Sequence, residues 1–271
     1  MPNYICITCG TQYPSSDAPP EHCPICEDER QYINPNGQQW TTLEAMRATH
    51  HNRVKTEEPN LTGIGTEPKF AIGQRALLVQ SPNGNVLWDC ISYIDEATVE
   101  AVQALGGISA ITSSHPHMYA SMIEWSHAFG NAPIYLHASN RSYVMRPDPA
   151  IVFWESDTQP LHDGVTLIRC GGHFEGSTVL HWPAGAERRG AILTGDTIYV
   201  VQDRRWVSFM YSYPNLIPLP APAIEGIVRA VEPFAFDRIY SAWFDNVVAS
   251  DGKAAVARSA ERYIRAIQNG L

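Results

Sequence analysis

Two pairs of cysteines near the N-terminus have the spacing of a metal-binding knuckle. Cys6 and Cys9 form one CxxC pair, and after thirteen intervening residues Cys23 and Cys26 form a second pair. Each pair makes a tight turn, and two facing turns supply four sulfurs to one tetrahedral ion. Gly10 permits the left-handed conformation that commonly closes such a turn. We therefore predict a four-Cys zinc knuckle over residues 1–33.

Two other uses of these cysteines are weaker. The pattern resembles zinc-ribbon and rubredoxin-like knuckles, but its spacing is shorter than in true rubredoxins, which disfavours an electron-transfer iron. A redox disulfide is the second alternative, yet no thioredoxin-like βαβ pattern surrounds either CxxC pair. The expected ion is structural Zn²⁺, which would tie down a segment that has little apolar core of its own.

A second set of metal-binding side chains follows predicted strands later in the chain. His115 and His117 lie two residues apart, so in extended geometry both imidazoles project to the same side. His173 lies in a glycine-rich turn, and Asp196 ends an apolar segment. Each residue alone is a weak signal. Together, three imidazoles and one carboxylate predict one metal centre that suits Zn²⁺ or Fe²⁺.

The elements that position these residues are short strands separated by turns and helices. Thr42 is expected to cap the one helix of a linker over residues 34–69, and residues 70–271 form the main domain. The pattern of paired strands followed by alternating helices and strands indicates a layered α/β body. Predicted strands cover residues 76–80, 86–89, 108–112, 133–137, 165–168, 177–181, 191–194 and 238–240, and predicted helices cover residues 95–105, 120–129 and from about 254.

Composition limits the classes of function. The 271 residues are 44% hydrophobic and 17% charged, which is typical of a globular protein. A formal charge of −9 disfavours nucleic acid as a partner. No stretch has the roughly 20 apolar residues that span a bilayer, and the N-terminus lacks the pattern of a secretory signal. We expect a cytoplasmic protein without a membrane partner, in which reduced cysteines bind metal.

From about Phe70 to the C-terminus the chain resembles the metallo-β-lactamase superfamily. The resemblance rests on the hairpin that ends at Trp88-Asp89-Cys90, on His115-Pro116-His117, on the turn at His173 and on Leu193-Thr194-Gly195-Asp196-Thr197. It implies an αββα sandwich of two mixed sheets, preceded here by the small four-Cys knuckle. It also implies a metal held at one edge of the sandwich.

Departures from the family pattern fall on one side of the implied site. The family string H-x-H-x-D-H continues here with Tyr119 and Ala120 in place of its Asp and last His. Trp243 lies at or near the position where the family has a further His. Ala and Trp cannot coordinate a cation, and the Tyr119 phenol would first have to lose a proton with a pKa near 10. The resemblance therefore implies that the first metal site is retained, and we predict a mononuclear centre.

A mononuclear site of this kind favours hydrolysis. Water on zinc can have a pKa near 7, which suits attack on a small ester, thioester, lactone or amide. Asp196 belongs to this catalytic set, Tyr119 is a candidate donor to an oxyanion, and Glu175 is a candidate proton shuttle. The alternative for Tyr119 and Glu175 is plain packing or a hydrogen bond that supports a metal ligand. Aromatic residues over 206–213 and at Trp243 indicate an apolar pocket for a small molecule or else packing under a loop.

Two other functions remain open at this point. In a scaffold without catalysis, both metals are structural and the knuckle serves docking or assembly of a homo-oligomer. In an iron oxidoreductase, two of the histidines and Asp196 form a facial triad for O₂ chemistry. Sulfur dioxygenases of the superfamily use a single iron in that manner, but they normally retain the intact string that this chain has lost.

Overall fold

The computed structural model describes residues 1–269 and contains two compact units. The first unit consists of residues 1–136 and 141–153, and the second of residues 137–140 and 154–269. Two large mixed sheets dominate, one with seven strands and one with six, and a small three-stranded sheet carries the cysteines. The predicted α/β class with two mixed sheets and a preceding four-Cys cluster is confirmed.

The N-terminal segment forms a small sheet whose loops hold the cysteines. The order of its strands is Gln12–Ser15, Asn3–Cys6 and Trp40–Thr41, with Asn3–Cys6 antiparallel to both neighbours. One helical turn, Pro24–Glu27, contains Cys26, and Pro24 fits there because the first turn of a helix needs no backbone N–H donor. Gly10 has φ +82°, as the turn chemistry requires.

The seven-stranded sheet runs through the first unit. The four strands between residues 51 and 88 pair antiparallel with one another. The next two strands, Ala110–Thr112 and Ile134–His137, are added in parallel, and Ala110–Thr112 leads to His115. The order of the sheet is Ile151–Trp154, Ile134–His137, Ala110–Thr112, Val86–Trp88, Arg75–Val79, Leu61–Glu67 and His51–Glu58. Helices Glu96–Ala104 and Met122–Ala128 belong to the same unit, as do the single turn Leu43–Met46 and the 3₁₀ turn Pro116–Met118; a 3₁₀ segment, Ala138–Tyr143, follows Ile134–His137.

An apolar core packs this sheet against its helices. Trp125 is fully buried among core residues that include Ile111 and Ile134, and its indole N–H donates to the carbonyl oxygen of Ile91 at 3.0 Å. Burial of each large aliphatic side chain stabilises the fold by about 1.5–3 kcal/mol. The core thereby fixes the strand that leads into His115.

The six-stranded sheet belongs to the second unit. Of its five pairs of neighbouring strands, four are antiparallel. The fifth pair, Ala191–Leu193 with Arg238–Tyr240, is parallel. The order of the sheet is Thr158–Pro160, Thr166–Arg169, Thr178–Trp182, Ala191–Leu193, Arg238–Tyr240 and Val247–Val248. Helices Gly185–Arg188, Ala221–Val231 and Gly252–Asn269 complete the unit, together with two strand pairs, Tyr199–Val200 with Val207–Ser208 and Met210–Ser212 with Ile217–Pro218.

The segment predicted as a linker with one helix has more structure than expected. The predicted helix is a single turn, Leu43–Met46, and Thr42 accepts a hydrogen bond from the N–H of Ala45 as its cap. The segment also contains the long hairpin His51–Glu58 and Leu61–Glu67. Across residues 1–269, no helix has the length and apolar character needed to cross a membrane.

Candidate metal centre

The four N-terminal cysteines converge as a metal site would require. Their Sγ atoms all lie within 4.8 Å of one another, and three of the four side chains are buried. Sγ of Cys6 is 3.5 Å from that of Cys26, and Sγ of Cys9 is 3.6 Å from that of Cys23. A disulfide would require about 2.05 Å. Four sulfurs about 2.3 Å from one ion lie about 3.8 Å apart, so the cluster fits tetrahedral coordination.

Polar side chains lie close to three of the sulfurs. The Tyr13 hydroxyl donates to Sγ of Cys23 at 3.2 Å, and Nε2 of Gln38 donates to Sγ of Cys6 at 3.2 Å. Oγ1 of Thr11 lies 3.3 Å from Sγ of Cys9. The donors Tyr13 and Gln38 would spread part of the negative charge that thiolates bring to a divalent ion, so they support the fit to a metal.

The two histidines of the second set do not share one extended segment, because only His115 is extended and His117 lies in a 3₁₀ turn. Strand Ala110–Thr112 leads to His115, which precedes the turn Pro116–Met118 that contains His117. The ring centroids of His115 and His117 are 5.0 Å apart. The expectation that extended geometry pairs the rings is therefore wrong in its reason, because Pro116 starts a tight turn that brings them together.

A buried relay sets the tautomer of His115. Oδ1 of Asp89 accepts hydrogen bonds from the backbone N–H and the hydroxyl of Ser114, at 2.7 and 2.9 Å. Because the Ser114 hydroxyl proton points to the carboxylate, its oxygen accepts from Nδ1 of His115, 2.9 Å away. All three side chains are fully buried. This arrangement directs the Nε2 lone pair of His115 to a metal, as outer hydrogen bonds do at many metal sites.

Backbone carbonyls set the tautomer of His173. Its Nδ1 lies 2.8 Å from the carbonyl oxygen of Tyr211 and 3.2 Å from that of Met210. A carbonyl oxygen can only accept, so Nδ1 carries the proton and Nε2 keeps its lone pair. Nε2 lies 4.0 Å from Oδ2 of Asp196, a separation that two ligands of one ion can have.

The four predicted ligands form one group. The ligand atoms of His115, His117, His173 and Asp196 all lie within 4.8 Å of one another, and all four residues are buried. The donor set of three imidazoles and one carboxylate, with two tautomers fixed for Nε2 coordination, fits Zn²⁺ or Fe²⁺. Among residues 1–269, only this group and the four-Cys group bring three or more such ligands together.

An aromatic cluster adjoins Asp196. The Tyr213 hydroxyl donates to the backbone oxygen of Asp196 at 2.9 Å. Burial, and then the charge of Asp196, raises the pKa of Tyr213 well above its ordinary value, so the phenol stays a donor. The Tyr199 ring lies 4.9 Å from the Tyr213 ring and 5.4 Å from that of Trp243, centroid to centroid.

The two further catalytic candidates lie in different environments. Tyr119 is 3% exposed and belongs to the apolar core of the first unit. The Glu175 side chain is 75% exposed, and its carboxylate lies 3.9 Å from the guanidinium of Arg169. The catalytic roles of both residues stay predictions.

Sequence reasoning missed the residues that orient the ligands. Asp89 carried a signal through its place in the Trp88-Asp89-Cys90 motif, but no role was assigned to it. Ser114 precedes His115 directly and is a common residue in turns, so its type gave no signal. The carbonyls at residues 210 and 211 are backbone groups with no signature in the sequence.

Several solved structures with a similar fold are metallo-β-lactamases. The DIM-1 metallo-β-lactamase aligns with a TM-score of 0.57 at 13% identity, over 80% of this chain and 98% of that one. A B3 metallo-β-lactamase with an active-site glutamic acid gives 0.52 at 19%, over 78% and 87%. A Cronobacter sakazakii metallo-β-lactamase with a HARLDQ motif gives 0.53 at 17%, over 79% and 92%. The chain therefore has the metallo-β-lactamase fold, as predicted, together with a His/Asp group that could hold a metal.

One relative is much closer in sequence. The uncharacterized protein YmaE of Bacillus subtilis (strain 168) is 52% identical over 273 residues, which covers 100% of this chain and 99% of that protein. The chain therefore belongs to the same family as YmaE. No family model matches the sequence.

Proposed function

We propose that this protein is a metal-dependent hydrolase with a mononuclear His/Asp centre and a separate structural zinc in the four-Cys knuckle. The observation that carries the proposal is the buried group of His115, His117, His173 and Asp196, in which hydrogen bonds direct two imidazole Nε2 atoms to the ion. Zinc held there supplies a nucleophile near neutral pH, because it lowers the pKa of water to about 7.

Local sequence and packing support a single ion. Ala120 offers no ligand, and Tyr119 packs in the apolar core. Trp243, close to the position of the third lost ligand, packs its ring against Tyr199. A phosphodiester substrate usually engages two metals, so the loss of three ligands disfavours it.

The substrate we propose is a small ester, thioester, lactone or amide with apolar groups. Tyr213 donates to the backbone oxygen of Asp196, and its ring continues through Tyr199 to Trp243, which together offer apolar contact area. The formal charge of −9 opposes polyanionic partners such as nucleic acids. Four cysteines that are free of disulfides and converge on one point suit a reducing compartment, and we propose the cytoplasm.

A structural role for both metals is the second candidate, and the burial of the ligands favours it. His115 and His173 are 0% exposed, and Asp196 is 6% exposed. In that case the ion holds segments of the chain together and the protein acts as a scaffold that docks a partner or forms a homo-oligomer. Binding free energy at such a site contributes directly to folding.

The test combines metal content with turnover. Wild type, His117→Ala and, as a matched control, the exposed His51→Ala are loaded with zinc, and their metal per chain is measured by plasma mass spectrometry. We expect two zinc ions in wild type and His51→Ala, one in His117→Ala, and hydrolysis of an ester, thioester or lactone panel only in the first two. If zinc-loaded wild type hydrolyses none of these substrates, the hydrolase proposal is refuted and the scaffold is the better candidate.

Iron loading tests the oxidoreductase reading separately. Protein loaded with Fe²⁺ is mixed with a persulfide, and dissolved oxygen is followed with an electrode. The hydrolase proposal predicts no oxygen uptake above the rate of the zinc-loaded protein. Uptake that requires iron and is lost in His117→Ala would replace hydrolysis by O₂ chemistry at the same ligands.

A further inference from the structure

The four-Cys knuckle contacts the histidine loop directly. The backbone N–H of Gln12 donates to the carbonyl oxygen of Ala120 at 3.1 Å. Ala120 follows His117 by three residues and has φ +45°, a left-handed conformation that costs an alanine about 1–2 kcal/mol. A strained residue persists only where its surroundings hold it, and the Gln12 N–H is one of those constraints.

A second contact joins the knuckle to the segment after Asp89. The Ser92 hydroxyl donates to the carbonyl oxygen of Gly10 at 2.7 Å, and Ser92 lies three residues after Asp89. The approach is close, because a Cβ on Gly10 would lie 2.4 Å from Oγ of Ser92. Residues 10–12 therefore contact two segments near the metal ligands: the loop of His115 and His117, and the segment that follows Asp89.

Arg146 strengthens the same junction. Its guanidinium donates to Oε1 of Gln12 and, at 2.6 Å, to Glu124. Glu124 lies in helix Met122–Ala128, which begins two residues after Ala120. The Arg146 and Glu124 side chains are 17% and 27% exposed, so solvent screens this pair only in part. The knuckle, the histidine loop and the following helix are thus connected through Gln12.

The conformation of residues 10–12 depends on the cysteines. Gly10 follows the ligand Cys9 directly, and its N–H donates to the carbonyl oxygen of Cys6 at 2.8 Å. Tyr13 and Ile25 are the two buried residues of the knuckle cluster other than cysteines, so the cluster has little apolar area of its own. A small unit of this kind depends on its metal to keep one conformation.

We propose that the metal-loaded four-Cys knuckle positions the loop of His115 and His117, with Gln12 as the positioning residue, so that binding at the two metal sites is coupled. The inference rests on the metal site of the proposed function, but it concerns metal affinity and not turnover. Because such coupling is reciprocal, metal in the His/Asp centre also stabilises the knuckle. Outer contacts to metal ligands typically change metal affinity 10- to 100-fold.

The test compares Gln12→Pro with Gln12→Ala. Proline removes the N–H that Ala120 accepts, whereas alanine keeps it and removes only the side chain. Gln12 is the first residue of an edge strand, a position that tolerates proline. With zinc in the knuckle, the affinity of the His/Asp centre for Co²⁺ is measured by chelator competition, and its visible d–d spectrum is recorded.

We expect Gln12→Pro to bind Co²⁺ at the His/Asp centre about 10-fold more weakly than wild type, with an altered d–d spectrum. Gln12→Ala should stay within about 3-fold of wild type. Cys26→Ser, which removes one knuckle ligand, should weaken the His/Asp centre as Gln12→Pro does. A folded Gln12→Pro that keeps its knuckle zinc and the wild-type Co²⁺ affinity would overturn the proposal.

A variant outside the knuckle covers the case in which Gln12→Pro does not fold. Ser92→Ala removes the contact to Gly10 and leaves every knuckle residue in place. It should weaken Co²⁺ binding several-fold, and wild-type affinity in both Ser92→Ala and Cys26→Ser would overturn the coupling. These affinities remain measurable if wild type hydrolyses nothing, so failure of the hydrolase and failure of the coupling are distinguishable.

Discussion

Oγ of Ser114 lies 2.9 Å from Nδ1 of His115, and this hydroxyl decides which ring nitrogen of His115 stays free to bind a metal. The hydroxyl proton is committed to Asp89, so the Ser114 oxygen is available only as an acceptor. The ring consequently keeps its proton on Nδ1. Asp89 thereby orients the Ser114 hydroxyl, and the Ser114 hydroxyl in turn orients the ring of His115.

Removal of that hydroxyl should weaken the metal centre. In Ser114→Ala both Nδ1 of His115 and one carboxylate oxygen of Asp89 lose a buried partner, and the ring is no longer held in one tautomer. We expect the zinc affinity of the His/Asp centre to fall 10- to 100-fold in a chelator competition, with the knuckle zinc retained. Ser113→Ala is the matched control, because Ser113 donates only a long bond, 3.4 Å, to the carbonyl oxygen of Met118. Equal losses in both variants would show general damage to the loop.

The sequence predicted the bounds of the short buried strands well. Strand Arg238–Tyr240 has the predicted bounds, and Ala191–Leu193 ends one residue earlier than predicted, because buried β-branched and aliphatic runs carry a strong signal. The hairpin His51–Glu58 with Leu61–Glu67 was missed. Its first strand lies at the edge of the sheet and has only one buried residue, Glu58, so it shows no apolar alternation.

Proline gives a misleading signal in the sequence at one helix. The segment from Pro214 to Pro222 has the composition of a stiff loop, but helix Ala221–Val231 begins inside it. Pro220 is the N-cap and Pro222 lies in the first turn, where backbone N–H groups have no partner within the helix. Proline count alone cannot separate a loop from the start of a helix.

Thiol labelling should divide the six cysteines into two classes. Burial raises the pKa of Cys90 well above its ordinary value and that of Cys170 to about 12, so both remain protonated thiols near neutral pH. We expect iodoacetamide at pH 7.5 to leave both unmodified in the folded protein. After removal of zinc with a chelator, the four knuckle cysteines should react first. Mass spectrometry of tryptic peptides measures both classes, and rapid labelling of Cys170 in the zinc-loaded protein would contradict the assignment.

His181 should make the fold less stable in mild acid. Burial lowers its pKa below the ordinary value of 6.5, while its Nε2–H donates to the carbonyl oxygen of Ala235 at 2.8 Å. The unfolded chain therefore binds a proton below about pH 6.5 that the folded chain resists, and stability falls as pH falls through that range. His181→Gln keeps a donor and does not titrate. Urea melts measure the free energy of unfolding of both proteins. The value for His181→Gln minus the value for wild type should rise as the pH is lowered from 7.5 to 5.5. A difference that is the same at both pH values would exclude the effect.

Two glycines with the same backbone conformation should respond differently to alanine. Gly190 and Gly130 have φ +85° and +71°, so either substitution costs about 1–2 kcal/mol in backbone strain. A Cβ on Gly190 would lie 2.1 Å from the carbonyl oxygen of Ala235, which is backbone and cannot turn aside, whereas a Cβ on Gly130 has no atom within 4 Å. Overpacking adds about 1–3 kcal/mol at Gly190 alone. Urea melts followed by far-ultraviolet circular dichroism should therefore show a clearly larger loss for Gly190→Ala, and equal losses would mean that the chain at Ala235 moves away freely.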